Sequence, residues 1–297
     1  MLYKGDERMI IENNVLRIDI NLNGGALTSV FDKRSNDELL YQKDERSWMG
    51  QDVVIFPVVA RLKDGSYLYD NKEYFMKNHG LIRYNNLDVI YHDLTKIVLG
   101  FKYNEETLIQ YPFKFNFEIS YELIDNVLKI EYHVYNVDDK VMYFNVGGHP
   151  ALKVNGYETD TEYIFEDVTL VFDQEYKVKK YELNDKGTFI TLGIDTLLPK
   201  CFKMSKELIN KEKTLIYDVS NINKVTLKSK NKEFVFDISD APFLAIWSNP
   251  GFGDFLCVEP WWGLPDFDDS NKILNEKKFI TKLGKELEYK TGYKIEF

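Results

Sequence analysis

Two residues stand where their type and neighbours suit proton transfer. His149 lies in Gly147-Gly148-His149-Pro150, where the proline biases it toward an extended backbone and the glycines allow a ligand to come close. An imidazole that ordinarily titrates near about 6.5 suits an acid or hydrogen-bond donor at neutral pH; the other reading is a turn histidine capped by its neighbours. Glu259 closes the apolar run Phe255-Leu256-Cys257-Val258 and precedes Pro260-Trp261-Trp262-Gly263. A carboxylate at the end of a buried strand is costly to ionise unless partnered, which suits a general base, whereas an exposed strand-end carboxylate would be bland. Trp261 and Trp262 offer flat apolar faces that fit the C–H side of a sugar ring, although ordinary core packing accounts equally well for one of them.

Cationic groups occupy comparable settings. Arg61 ends Phe56-Pro57-Val58-Val59-Ala60, and His79 is followed by Gly80 with Arg83 four residues on, so a turn is expected to expose an imidazole beside a guanidinium. A surface strand-end arginine and a structural turn are the alternatives. His92 and His133 read as edge or surface residues of strands. Gly24-Gly25 reads as a tight turn, because no Gly-x-Gly-x-x-Gly or phosphate-cradling pattern follows it. No Gly-x-Ser-x-Gly elbow exists, and neither cysteine lies in a nucleophile motif, which argues against covalent hydrolases. Cys201 and Cys257 form no CxxC and have no nearby histidine, so free thiols and no metal site are expected.

The elements that must bring these residues together are strands. Leu16, Ile18, Ile20 and Leu22 alternate with polar residues, the pattern of a half-buried strand. The stretch 115–137 reads as a hairpin turning at Asp125-Asn126. Similar runs occur at 225–227, 234–238, 243–247, 255–258 and 287–295, while the best helical pattern covers only 203–211. Many short strands without helical periods between them predict an all-β fold, a large antiparallel sandwich with few short helices. No repeat and no Gly/Ser/Pro-rich linker divides the chain, so residues 1–297 are expected to form one domain. The polar, acidic segment 158–195 reads as strands and loops flanking a site.

Composition narrows the classes. The 297 residues carry a net charge of −10 spread along the chain, which disfavours nucleic acid as a partner. Aromatic residues make up 15% of the sequence, too many for a chiefly disordered chain. No apolar run reaches the roughly 18 residues of a membrane span, and residues 1–15 are interrupted by charges, so a cytoplasmic location away from membranes is expected. Oligomeric state is not encoded legibly.

Taken in order, Phe56-Pro57…Arg61, Asn78-His79-Gly80…Arg83, Gly148-His149-Pro150 and Val258-Glu259-Pro260-Trp261-Trp262-Gly263 resemble the aldose 1-epimerase, or galactose mutarotase-like, family. The resemblance is nearest to the shorter bacterial branch associated with lactose and galactose operons, and it runs from about Glu12 to the C-terminus. It implies a β-supersandwich that binds an aldose in an open cleft and interconverts its α and β anomers with no metal or organic cofactor. Glu259 would take the C1 hydroxyl proton and His149 would protonate the ring oxygen, with Arg61, His79 and Arg83 binding substrate and stabilising charge. Trp261 is a further candidate sugar contact, and Asp218 or Asp240 a candidate for the family's hydroxyl-binding aspartate. Leu81 replaces the usual aromatic after His-Gly, and Trp261-Trp262-Gly263-Leu264-Pro265-Asp266 departs from the usual ending. A hexose-phosphate mutarotase and a non-catalytic carbohydrate-binding sandwich are the alternatives; a glycosidase would need a second well-placed carboxylate. An acid and a base required in opposite protonation states imply a bell-shaped pH profile. Its acidic limb is expected from a carboxylate near or above about 4.3, and its basic limb from an imidazole held protonated above about 6.5.

Overall fold

The computed structural model describes residues 8–154, 167–185, 189–229, 232–249 and 254–297. Two antiparallel sheets dominate. The larger has nine strands in the order Cys201–Lys203, Thr169–Val171, Lys224–Ser229, Lys232–Asp237, Glu288–Glu296, Val127–Asn136, Phe115–Ile124, Lys96–Lys102 and Asp88–His92. The second runs Val146–Gly147, Phe255–Trp262, Phe243–Trp247, Thr214–Asp218, Tyr176–Tyr181 and Ile194–Leu198, with Ala151–Lys153 also paired to Phe255–Trp262. A four-stranded sheet of Arg8–Glu12, Leu16–Asn21, Leu27–Asp32 and Asp37–Glu38 adjoins them. No described helix is long and apolar enough to cross a membrane.

Period-two patterning decides which side chains make the core. The hairpin of Phe115–Ile124 and Val127–Asn136 pairs Ile124 with Val127 around Asp125-Asn126, and Asp125 takes a left-handed backbone (φ 54°). Its alternate residues Phe117, Ile119, Tyr121, Ile130, Tyr132 and Val134 are buried. They share one cluster with Leu244, Ile246, Leu256, Val258 and Trp262 from the second sheet. The sandwich is thus held by aromatic and branched residues turned inward from both layers. The opposite face of Phe255–Trp262 is covered as well, since all eight of its residues are buried. That covering allows a carboxylate there to be desolvated.

Helix is sparse. Lys206–Glu212, capped by Ser205, overlaps the anticipated 203–211, but the residues before it belong to the strand Cys201–Lys203. Glu105–Gln110 had no periodic signal; it is fixed by a reciprocal cap between Asn104 and Thr107. Of the polar segment 158–195, residues 158–166 and 186–188 lie outside the described residues, and the remainder carries three short strands. Cys201 is exposed, Cys257 is buried, and both are free.

Phe56 anchors the loop that carries Arg61. Its ring is fully buried, within 5.0 Å of the rings of Phe115 and Phe117 and 5.5 Å of Phe144. Its carbonyl accepts from the Leu81 N–H and its N–H donates to the His79 carbonyl at 3.3 Å, so the same residue ties the His79 turn to the core. Phe56→Ala is expected to destabilise the fold by about 3–5 kcal/mol in urea unfolding, as removal of a fully packed ring does. A loss below about 1 kcal/mol would mean that this anchor is not rigidly packed.

Candidate active site

Strand register closes the long sequence distance between His149 and Glu259. Val146–Gly147 and Ala151–Lys153 both pair with Phe255–Trp262, Gly147 opposite Trp261 and Ala151 opposite Cys257. The register is the same on both sides of the break at 148–150, so His149 stands opposite Glu259. Cross-strand neighbours share a face, and alternation puts Phe255, Cys257, Glu259 and Trp261 on the face away from the main core. The break has a local cause: Pro150 has no N–H to give to the ladder. Gly147 and Gly148 are small because Cβ atoms there would meet the Trp261 ring at 2.8 Å and the Tyr293 hydroxyl at 2.4 Å.

His149 Nε2 lies 3.3 Å from Glu259 Oε1, with the side chains 9% and 1% exposed. His149 is therefore buried rather than exposed, and Glu259 sits within its strand rather than at its end, which corrects two expectations. Burial pushes the imidazole down to about 3, and the Arg83 guanidinium adds to the effect. This overturns the expectation of an imidazole held protonated above its ordinary value. Burial likewise pushes the Glu259 carboxyl well above the usual carboxylate range; the nearby Trp261 indole, which forms no hydrogen bond to it, opposes that rise and the Asp52 charge reinforces it. Both directions favour uncharged partners, and the contact lets one proton be shared between oxygen and nitrogen. His149 Nδ1, Glu259 Oε2 and Trp261 Nε1 are buried without a hydrogen-bond partner, an arrangement suited to a polar ligand.

The structure gathers most of the other candidates around this pair. The His79 ring stands edge-on to His149 with centroids 5.3 Å apart. It is buried rather than exposed, its backbone is left-handed (φ 62°), and Gly80 is required because a Cβ would lie 2.2 Å from the Phe56 carbonyl oxygen. The Ala60 N–H donates to His79 Nδ1 at 3.3 Å, which leaves the proton of the neutral ring on Nε2. Burial, then the neighbouring His149, Arg83 and Arg61, hold that ring well below its ordinary value. Arg61 is exposed beside this cluster and Arg83 half-buried; no carboxylate pairs with either guanidinium among the described residues. The Arg61 loop is pinned from below by Asp266, whose carboxylate accepts from the Lys63 N–H at 2.7 Å and from Lys277 at 2.6 Å.

The two tryptophans divide. Trp261 shares the face of Glu259, whereas the Trp262 indole turns to the core and donates to the Asp240 carbonyl at 2.7 Å. Asp240 is accordingly remote from the pair. Asp218 is not brought against it either. Its register partner is Phe243, itself opposite Trp261, so Asp218 lies two strands across the sheet, and its carboxylate accepts from the Ser220 N–H and hydroxyl.

Four further residues at the site were not read as functional from the sequence. Trp48 and Trp247 wall His149 at ring distances of 5.3 and 5.6 Å, contacts that depend on how a loop and a neighbouring strand fold over it. Asp52 is buried, its carboxyl raised to about 6 by desolvation against the opposing Leu27, Val53 and His149 N–H groups. The buried polar pair Gln51-Asp52 before the apolar run 53–56 was the available hint. Cys257 is the fourth: it, His149 and Glu259 bring one sulfur, one nitrogen and one oxygen within 4.8 Å of one another, a donor set compatible with a zinc-type ion. Burial and the charges of Glu259 and Asp52 keep the thiol strongly protonated.

A family model described as Aldose 1-epimerase matches residues 7–281. The plasmid-encoded protein LacX of Lactococcus lactis subsp. lactis is 26% identical over 290 residues, covering 92% of this chain and 93% of that protein. A galactose mutarotase related enzyme from Lactobacillus acidophilus superposes with a TM-score of 0.89 at 32% identity, over 97% of this chain and 96% of the other. A galactose mutarotase-like protein from Lactobacillus casei gives 0.88 at 27% identity, over 97% and 99%.

The burial of the pair has a direct spectroscopic consequence. The ring nitrogens of His149, assigned by their loss in His149→Asn, are expected to stay in the neutral form by nitrogen-15 NMR from pH 8 to pH 5 and to protonate near about 3. Titration at the ordinary value of about 6.5 would contradict the desolvation argument.

Proposed function

Because the chain belongs to the aldose 1-epimerase family, we propose that it interconverts the α and β anomers of an aldohexose, with Glu259 as base and His149 as acid. The observation that carries this reading is the buried 3.3 Å contact between the two groups. Mutarotation needs one proton removed from the C1 hydroxyl and one delivered to the ring oxygen, with no net oxidation or hydrolysis. A carboxyl–imidazole pair holding a single proton between its members supplies both. When the C1 hydroxyl engages Glu259, the proton held by the carboxyl passes to His149. The carboxylate then takes the hydroxyl proton while the imidazolium protonates the ring oxygen, and the C1–O5 bond breaks to give the open aldehyde. Rotation about C1–C2 and closure with the roles reversed yields the other anomer and restores the pair. His79 Nε2–H, Arg61 and Arg83 are proposed to hold the sugar oxygens and to counter charge as it develops. Trp261 offers its ring face and unpaired N–H. Asp218 is retained only as a remote candidate, since it would need to reach across two strands.

The pair is competent while it holds one proton. A second proton, on the imidazole, abolishes the base; loss of the last proton abolishes the acid. Raised and lowered values on the two members widen the window between these events. Nothing in this sequence of steps calls for a metal or organic cofactor, and the smallest sufficient ligand is a free sugar.

A phosphorylated hexose is the second reading, favoured by the unpaired Arg61 and Arg83 guanidinium groups, since arginine forks match phosphate oxygens. Comparing kcat/KM for glucose and galactose with that for their 6-phosphates separates the two.

Polarimetry on freshly dissolved α-glucose and α-galactose is expected to show mutarotation faster than in buffer alone. Glu259→Gln and His149→Asn should each lower kcat by about 10²–10⁴ with the fold retained. Near wild-type rates in both variants would refute the assignment. Exhaustive chelation should leave the rate unchanged; a loss restored by one divalent ion would instead implicate the His149, Cys257 and Glu259 donor set.

A further inference from the structure

We propose that Asp266 and Lys277 are positioning residues of the site: their buried ion pair grips the loop that carries Arg61 and thereby sets where Arg61 and His79 meet the sugar. The inference rests on the reading above, in which Arg61 and His79 hold substrate oxygens. Lys277 Nζ lies 2.6 Å from Asp266 Oδ1, and the two side chains are 6% and 4% exposed. The other carboxylate oxygen, Oδ2, accepts from the Lys63 backbone N–H at 2.7 Å. One carboxylate thus divides its oxygens between an ammonium group and the backbone just past Arg61.

Both ends of this clamp belong to the site. Asp266 continues the chain that leaves the strand Phe255–Trp262, which holds Glu259, and Leu264 between them shares a buried cluster with Val59 and Trp261. The Lys63 ammonium reaches the carbonyls of Asp268 and Ser270 at 2.9 and 3.2 Å, so segment 266–270 holds the loop by side chain and backbone alike. On its other side the loop is tied to the imidazole next to the acid. The Ala60 N–H donates to His79 Nδ1 at 3.3 Å, and the His79 N–H donates to the Ala60 carbonyl at 2.9 Å. Lys277 is itself fixed: its N–H donates to the Leu274 carbonyl at 3.2 Å, and the nearby Phe279 carbonyl accepts from the Asn145 side chain at 3.0 Å, on the strand side of His149.

A buried ion pair is a weak source of stability, because two charges lose their hydration for one contact, and apolar residues of similar volume often hold a core at least as well. Direction is what the pair supplies and apolar packing does not. A carboxylate fixed by an ammonium on one oxygen presents the other to a single N–H. Asp266 is the one partner of Lys277 Nζ among the described residues, so the lysine is committed to that carboxylate. The loop needs such a hold: Ala60 and Asp64, on either side of the exposed Arg61, take left-handed backbones (φ 49° and 56°), and such conformations persist only where the surroundings impose them.

The test replaces the pair by apolar residues, Asp266→Leu together with Lys277→Met, so that no buried charge is left unpaired. The fold is expected to stay, and kcat/KM for mutarotation to fall about tenfold or more, the cost of a lost charge-assisted hydrogen bond between Arg61 and the sugar. Arg61→Gln should give a loss of similar size, and adding it to the double variant should cost nothing further, because both act through one contact. A purely structural role would instead give additive losses. Full additivity, an Arg61→Gln variant as active as the wild type, or an unchanged kcat/KM in the folded double variant would each overturn the proposal. None of these touches the acid–base assignment, which falls only if Glu259→Gln and His149→Asn remain active. Amide hydrogen exchange at Lys63 gives a readout that does not require activity, and it should quicken about tenfold or more in the double variant. Unchanged exchange there would overturn the clamp even in a protein that turns over no sugar. Should the double variant fail to fold, Lys63→Pro removes the same N–H at the first position of the short helical turn Lys63–Gly65, where proline fits. It should match Arg61→Gln in size and in non-additivity, and a kcat/KM within about twofold of the wild type would overturn the inference.

Discussion

Desolvation of one carboxyl and one imidazole facing each other is the constraint on which the rest of this structure depends. In water His149 would be partly charged and Glu259 fully so at neutral pH. Here both lose their hydration, and the least costly arrangement is a neutral pair that holds one proton between them. That arrangement requires a strand buried on both faces, which is why Phe255–Trp262 has the main core on one side and a second aromatic cluster on the other. It also requires walls. Trp48 and Trp247 wall the imidazole, Phe255 packs against both tryptophans, and the His79 ring stands edge-on to His149.

The pair is built from ordinary sheet rules. Two short strands hold a common register against Phe255–Trp262, and the proline that interrupts them leaves His149 at the break, opposite Glu259. Segment 51–55 supplies the third strand of support, running antiparallel to 147–151 with Ile55 tied to Gly147 and Gln51 to Ala151. Stability and chemistry oppose each other at this point. Asp52 and Glu259 are raised above their unfolded values, so they favour the fold most when protonated and withdraw that support as pH rises through their folded values. His149 is lowered, so its contribution is present above about 6.5 and is lost as pH falls toward its folded value near 3.

Much of the architecture was legible because period-two alternation is a strong signal wherever one face is buried. The hairpin 115–136 and the strands near 225, 234, 243, 255 and 288 follow their patterns closely. The family was legible from four short motifs in order, and the match over residues 7–281 agrees with them. Burial was not legible. His79 and His149 read as exposed turn residues, because nothing local reports the aromatic rings that distant segments place over them. Asp52 stayed hidden for the same reason: an aspartate before an apolar run does not announce that distant segments will bury it. Asp218 illustrates the converse, a residue of suitable type that the register holds two strands away.

The central claim, that catalysis proceeds from a buried pair sharing one proton, is tested most directly by the pH dependence of kcat/KM for mutarotation in excess of the buffer rate. The account predicts a broad bell. Its acidic limb lies toward the lowered imidazole value near about 3, and its basic limb, set by the raised Glu259 carboxyl, lies above the ordinary carboxylate range of about 4.3. A flat profile, or limbs at the ordinary values of about 4.3 and 6.5 for two independent groups, would contradict it.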